Sequence, residues 1–396
     1  MQEGFPSPQS KDAHLMADSP VSSIHVFFGG LPDPRIDRTR CHELLDILTI
    51  AICAVICGAD SWVQVELFGK SKQAWFAGFL KLPHGIPSHD TFGRVFASLD
   101  PVAFERCFLN WMAHVAEDLA GEVVPIDGKT LRRSFDRAGQ KSALHLVSAW
   151  AADTGLVLGQ VAIHDKSNEI TAIPELLKLL DLRGATVTID AMGCQTQIAR
   201  QIVEQKGDYV LGVKENQPTL SREVRRVMDE ARTAPRPLPV DYHETIEKGH
   251  GRIETRRVWC TDRVRWLRDQ DHWEGLATIA LVESERTVDG KTTTDQRYYI
   301  SSLAGASAKR MAHVIRQHWG IENGLHWVLD MAFDEDRCRI RLDNAARNMG
   351  LLRKIALNLL KRDTTVKAGI KSKRLKAGWD DDYRIKILAG GSNLDA

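Results

Sequence analysis

Val123-Val124-Pro125-Ile126-Asp127-Gly128-Lys129-Thr130 is the stretch on which the reading of this chain turns. Val, Val and Ile make a short buried strand that delivers one carboxylate, Asp127, and then turns at Gly128. About sixty residues on, Thr186-Val187-Thr188-Ile189-Asp190 repeats the design: a β-branched run, an aspartate, then Ala191, Met192 and Gly193. Two strands that each end in Asp can set two carboxylates side by side at one end of a sheet. Like charges at that range repel, so a cation between them is expected. Hard oxygen ligands select Mg²⁺, with Mn²⁺ as a substitute, and such ions drive phosphoryl transfer.

Working outward, the strand pattern continues. Residues 143–152 and 156–164 read as strands joined by the turn Asp153-Thr154-Gly155, 170–182 as an amphipathic helix, 195–205 as another, and 209–214 as a short buried strand. The order β-β-β-α-β-α-β puts a mixed sheet under helices, with the first and fourth strands adjacent. This is an α/β, ribonuclease H-like plan. From Glu215 to Gln296 four prolines and strand-like runs at 252–260 and 276–283 read as a β-rich insertion, after which 297–303 restores a strand and Ser307 caps a long helix.

Ahead of Asp127 the chain reads as helical. Patterns cover 41–57 and 61–82, Ser88 caps a third helix, and Pro101 opens a fourth that ends before Gly121. A helical bundle is expected here in preference to a helix–turn–helix around Ile86–Arg94. The resulting layout is a disordered tail (1–20), an N-terminal helical domain (21–120), a catalytic core in two parts (121–214 and 297–365) around the insertion (215–296), and a basic C-terminal tail (366–396).

Composition narrows the class. The chain has 396 residues, 43% of them apolar and 27% charged, which is ordinary globular composition. Net charge is +1, but residues 337–376 hold thirteen Lys/Arg against Asp343 and Asp363. Such a run after the last candidate acid suits contact with a phosphate backbone, and Arg337, Arg339 and Arg341 alternate as one edge of an extended segment would. Seven scattered cysteines read as free thiols of a reducing cytoplasm. The apolar run 44–58 is too short to span a membrane, so a buried helix is expected. Neither GxGxxG nor GxxxxGK[ST] occurs, which disfavours nucleotide-binding α/β enzymes.

A third acid comes from the late helix His318-Trp319-Gly320-Ile321-Glu322-Asn323-Gly324-Leu325-His326-Trp327-Val328-Leu329-Asp330. Glu322, His326 and Asp330 share one helical face. Glu322 is the choice, with Asp330 its rival. His318, Glu322 and His326 also have a spacing compatible with zinc, but acid-rich partners favour a harder ion. Trp319 and Trp327 read as core residues in preference to platforms for unpaired bases.

Here the sequence resembles a family. IDGKTLRRS (126–134), HDKSNEI (164–170), TIDAMGCQ (188–195), VKENQP (213–218) and HWGIENGLHWVLDMAFDED (318–336), in this order, resemble the DDE transposases of bacterial insertion sequences, in the branch that includes the H-repeat-associated proteins of Rhs elements. GIPSHDTFGRVF (85–96) resembles the domain associated with that branch. The resemblance implies a catalytic and metal-binding triad of Asp127, Asp190 and Glu322, strand cleavage and strand transfer at element ends, DNA as partner, a homodimer in the synaptic complex, no small-molecule cofactor, and a cytoplasmic, nucleoid-associated protein. In the wider group a Tyr and an Arg precede the glutamate and a Lys follows it. Those positions hold Ile315, His318 and Leu329 here, so Arg316 and His318 become the candidate phosphate contacts. Lys129, Arg132, Lys166, Lys214 and Arg252 are further candidates near the acids. Two alternatives stay open: a ribonuclease H-like nuclease that cuts without joining, and a domesticated copy that only binds DNA.

Overall fold

The computed structural model describes residues 21–115, 119–135, 142–163, 168–233, 239–249 and 251–390. The chain divides into two units: residues 1–115, 130–144 and 327–396 form one, and residues 116–129 and 145–326 the other.

The first unit opens with α1 (Ser22–Phe28), α2 (Leu44–Ile56), α3 (Trp62–Ser71), α4 (Gln73–Phe76), α5 (His89–Ser98) and α6 (Pro101–Val115). Ser88 caps its helix as the sequence predicts, and Ser61 caps another. Ser61 Oγ accepts the Gln64 N–H at 3.4 Å and Ser88 Oγ the Thr91 N–H at 3.3 Å. Pro101 takes the first helical position, where no N–H is needed. The helix expected over 61–82 is broken at Lys72, whose backbone leaves the helical region, and it ends at Phe76. Nearly every residue of α2 is buried, as an all-apolar helix requires. Asp46, the one acid inside it, accepts the Leu82 N–H at 3.1 Å. No described helix is long and apolar enough to cross a membrane.

The second unit carries β1 (Val123–Thr130), β2 (His145–Trp150), β3 (Val157–Ile163), α7 (Glu169–Leu177), β4 (Thr186–Ile189), α8 (Thr196–Glu204), β5 (Asp208–Val213), α9 (Pro218–Thr233), β6 (Asp241–Gly249), β7 (Arg252–Thr261), β8 (Thr278–Val288), β9 (Lys291–Ser301) and α10 (Ala308–His318). The described strands form one sheet in the order β3-β2-β1-β4-β5-β9-β8-β7-β6. β1 pairs parallel with β4, and β4 with β5. The first five strands are the ribonuclease H-like arrangement that the sequence pattern implies.

The stretch 215–296 supplies β6, β7 and β8, which pair antiparallel and continue the same sheet through β9. The stretch also begins with a sixteen-residue helix, α9. Pro218 signals a break when read as loop, yet it is the first residue of α9 and costs no hydrogen bond there. The core that positions the next helix is apolar. Met311, Val314 and Ile315 of α10 pack with Val210, Val258, Ala280 and Tyr299 of the sheet. Ser307 caps α10, its Oγ accepting the Arg310 N–H at 3.2 Å.

The chain then returns to the helical unit as α11 (Trp327–Phe333), α12 (Ala345–Arg362), α13 (Ile370–Trp379) and α14 (Asp381–Leu388). The basic tail expected from residue 366 is therefore largely helical through its described part. Arg374 is buried: it donates to Val55 O at 2.9 Å and to Ala59 O at 3.3 Å, and pairs with Asp60 Oδ1 at 3.0 Å. Lys373 Nζ donates to Leu360 O at 3.1 Å and lies 3.5 Å from Asp363 Oδ2. Arg353 and Lys354 of α12 are buried as well. A count of charges along the chain cannot see this, because long aliphatic stems let a cation reach a buried acceptor. Only part of the 337–376 run faces solvent.

Candidate active site

The register of the sheet brings the two aspartates to one end. Ile126 of β1 stands opposite Ile189 of β4, and Asp127 and Asp190 are the next residues along the chain. Asp127 lies inside β1, its side chain 23% exposed. Asp190 caps a short 3-10 turn, one oxygen accepting the Met192 N–H at 3.0 Å, and the residue is exposed. The turn role that a strand-end aspartate often has is thus filled by one oxygen of Asp190.

The third acid arrives on a widened turn. After α10 the chain makes a π-helical turn, Glu322–His326, before α11. Two glycines bracket Glu322, and their role is steric. A Cβ at Gly320 would come within 3.1 Å of the Trp150 ring, and at Gly324 within 2.5 Å of Trp150 Cζ2. Side chains at either position would push the glutamate-bearing turn off β2. Gly128 has the same function beside Asp127, because a Cβ there would collide with Glu169 Oε1 and His145 Nε2. Those two atoms are themselves 2.7 Å apart.

Asp127, Glu322 and His326 form the one group of at least three His, Cys, Asp or Glu ligand atoms found within 4.8 Å of one another among the described residues. His326 Nδ1 lies 3.5 Å from Asp127 Oδ2 and 3.7 Å from Glu322 Oε2. Asp330, the rival for the third acid, is not a member, and neither is Asp190. Burial first, then the Glu322 carboxylate, push the Asp127 carboxyl up to about 7; Glu169 and Asp190 add to this, and a hydrogen bond from the Gly128 backbone opposes it. Asp190 is therefore within electrostatic reach of Asp127 although it stands outside the tight group.

His318 is no cationic phosphate contact. It is buried, its Nδ1 lies 3.0 Å from Thr188 Oγ1, and burial pushes its imidazole down to about 4, so it is neutral near pH 7. The same placement removes it from any zinc set with Glu322 and His326. Trp319 and Trp327 are not core residues: they are 39% and 59% exposed, and the Arg297 guanidinium sits 4.4 Å from the Trp319 ring centroid.

The other sequence candidates scatter. Lys129 Nζ reaches His326 O at 3.4 Å, beside the acids. Lys214 is exposed just past β5. Arg252 pairs loosely with Glu254 at 3.8 Å, and Arg316 with Glu247 at 3.4 Å. Within the helical unit, exposed Arg132 lies 3.2 Å from Asp336 Oδ2, Arg337 lies 3.6 Å from Asp334, and Arg339 is exposed. Arg341 donates to Arg133 O at 2.9 Å and stacks over Phe135. Lys166 lies outside the described residues, as do residues 1–20. Sequence reasoning puts His326 on the right helical face but not in the acid cluster. Its one signal is the i, i+4 spacing from Glu322.

Comparison with known proteins bears on the family. A family profile described as Transposase DDE domain matches residues 119–359, and one described as DDE_Tnp_1-associated matches residues 26–112. The chain is 41% identical over 384 residues to "Putative transposase YncI" of Escherichia coli O157:H7, covering 94% of this chain and 96% of that protein. It is 40% identical over 369 residues to "H repeat-associated putative transposase YhhI" of Escherichia coli K12, covering 91% and 96%. It is also 48% identical over 280 residues to "Uncharacterized protein in dhlA 3'region" of Xanthobacter autotrophicus, covering 70% and 93%. A sheet that sets Asp127 and Asp190 at one end, a glutamate brought beside Asp127 by the turn after α10, and these matches over most of the length lead to one conclusion: the chain belongs to the DDE transposase family.

Proposed function

We propose that this protein is a metal-dependent transposase that cuts DNA strands at the ends of an insertion sequence and joins the freed 3′-hydroxyls to target DNA. The observation that carries the reading is the meeting of Asp127 and Glu322, remote in sequence, in one group whose charge also acts with Asp190. The donor set fits a divalent ion. Two donors sharing an ion at about 2.1 Å stand roughly 3–4 Å apart, and the His326 nitrogen stands 3.5 and 3.7 Å from the two carboxylates. Asp127, Asp190 and Glu322 would hold Mg²⁺, or Mn²⁺ in its place. When bound, such ions supply positive charge to the scissile phosphate and lower the pKa of the attacking water or hydroxyl.

The chain's own groups do the rest. Asp127 holds a proton on its carboxyl below about pH 7 in the metal-free protein and releases it above. Gly320 and Gly324 let the turn that carries Glu322 lie close against Trp150. Lys129, Arg132, Lys214, Arg252, Arg316, Arg337, Arg339 and Arg341 are the cations that would meet the DNA backbone. Two element ends must be processed together, so a homodimer is the working assembly.

A duplex carrying one element end, incubated with protein and Mg²⁺ and resolved on a denaturing gel, tests the reading. Products longer than the substrate are expected, from joining. Cut strands with no joined product would leave a nuclease instead, and neither product would leave a DNA-binding relic.

A further inference from the structure

We propose that His326 is itself a ligand of the divalent ion, through Nδ1 and together with Asp127 and Glu322, and that it tilts the site toward Mn²⁺ over Mg²⁺. The proposal rests on the metal-dependent reading above. His326 is only 7% exposed, turns Nδ1 toward two carboxylates, and belongs with them to the one group of three potential ligand atoms within 4.8 Å of one another among the described residues. The separations of 3.5 and 3.7 Å exceed the roughly 2.7–3.2 Å of an N–H···O hydrogen bond. They match the spacing of donors gathered around one ion. Asp190 stands outside this group, so the set brought together among the described residues is two carboxylates and one imidazole.

The π-helical turn provides the placement. It widens the backbone between Glu322 and His326, so both side chains reach Asp127 before α11 begins. Nitrogen donors change ion preference. Mg²⁺ takes oxygen and gives up its waters reluctantly, whereas a transition ion accepts imidazole readily. Loss of an outer partner of a metal ligand alone costs about 10–100-fold in affinity, so loss of a direct ligand is expected to cost about tenfold or more for Mn²⁺. The loss for Mg²⁺ should be smaller.

The full-length protein is loaded with Mn²⁺ alone, without DNA, and studied by pulsed electron paramagnetic resonance. The wild type is expected to show modulation from a directly bound ¹⁴N. His326→Gln should lose it and bind Mn²⁺ about tenfold more weakly, while competition with Mg²⁺ changes less. His145→Gln, which removes another nearby imidazole, should keep the modulation. A wild-type spectrum without ¹⁴N overturns the proposal whether or not the variant folds. So does modulation that persists in His326→Gln or vanishes in His145→Gln. Mn²⁺ binding that survives Asp127→Asn unchanged, or no bound Mn²⁺ at all, would overturn the site reading on which the proposal stands. Mn²⁺ held through Asp127 without nitrogen would overturn this proposal alone.

Discussion

Replacing Asp127 by Asn is expected to make the metal-free protein more stable at pH 8, although the same change should abolish its chemistry. Burial and the Glu322 carboxylate raise the Asp127 carboxyl from 3.8 to about 7. Each tenfold change in an ionisation constant corresponds to about 1.4 kcal/mol, so forcing the folded site to carry that charge costs on the order of 4 kcal/mol. The side chain is 23% exposed and Asn keeps only part of the hydrogen bonding, which brings the expected gain to roughly 1–3 kcal/mol. The sign follows from the two states. Below pH 3.8 both folded and unfolded chains hold the proton, and there is no penalty. Between 3.8 and about 7 the unfolded chain ionises first, so the wild type loses stability relative to the variant. Above about 7 the penalty is complete. Urea unfolding in EDTA at about pH 5, 6.5 and 8 measures this, and the gap between variant and wild type should widen with pH. Added Mg²⁺ or Mn²⁺ should then stabilise the wild type and leave Asp127→Asn largely unmoved. A variant less stable at pH 8, or a gap that does not change with pH, would refute the electrostatic picture of the site.

Four further outcomes concern other residues. Gly324→Ala should lower cleavage by about 100-fold, because its Cβ would displace the glutamate-bearing turn from Trp150 and misplacements near 1 Å cost that much; pairing it with Trp150→Leu should recover part of the rate. His318→Gln should leave DNA affinity and its salt dependence unchanged, since the imidazole is buried and neutral. By contrast, Arg337→Ala with Arg339→Ala should flatten the slope of log affinity against log salt by about 0.9 for each phosphate no longer neutralised, and an unchanged slope would remove those arginines from the interface. Arg374→Ala should destabilise the protein by about 3–5 kcal/mol in urea unfolding, because Asp60 and two backbone carbonyls lose a buried donor; a change under about 1 kcal/mol would show that water replaces the guanidinium.

Most of the sheet is legible in the sequence because its strands are short β-branched runs separated by clear turns, although β1 runs on past Asp127 to Thr130. The pattern puts β1 beside β4, and the observed register does so residue by residue. Helix α9 is hidden because a proline at a helix start reads the same as a proline in a loop until the hydrogen bonds are seen. The 370–388 stretch reads as a surface tail because Lys and Arg count as exposed in any linear tally, while Lys373, Arg374 and Arg384 end in buried acceptors. The place of His318 before Glu322 suggests a phosphate contact. Its true surroundings, Thr188 and a packed helix, come from a strand 130 residues earlier. His326 joins the acids through a π-helical turn, and helical periodicity alone cannot distinguish such a turn from ordinary helix.

The most direct measurement is a strand-joining assay on labelled element-end DNA, run in parallel on wild type, Asp127→Asn, Asp190→Asn and Glu322→Gln, with binding of the same DNA followed by gel shift. Joined product from the wild type only, with DNA affinity within about threefold across all four proteins, is the expected result. Joined product from any of the three variants at a rate near the wild type would contradict the shared acidic centre.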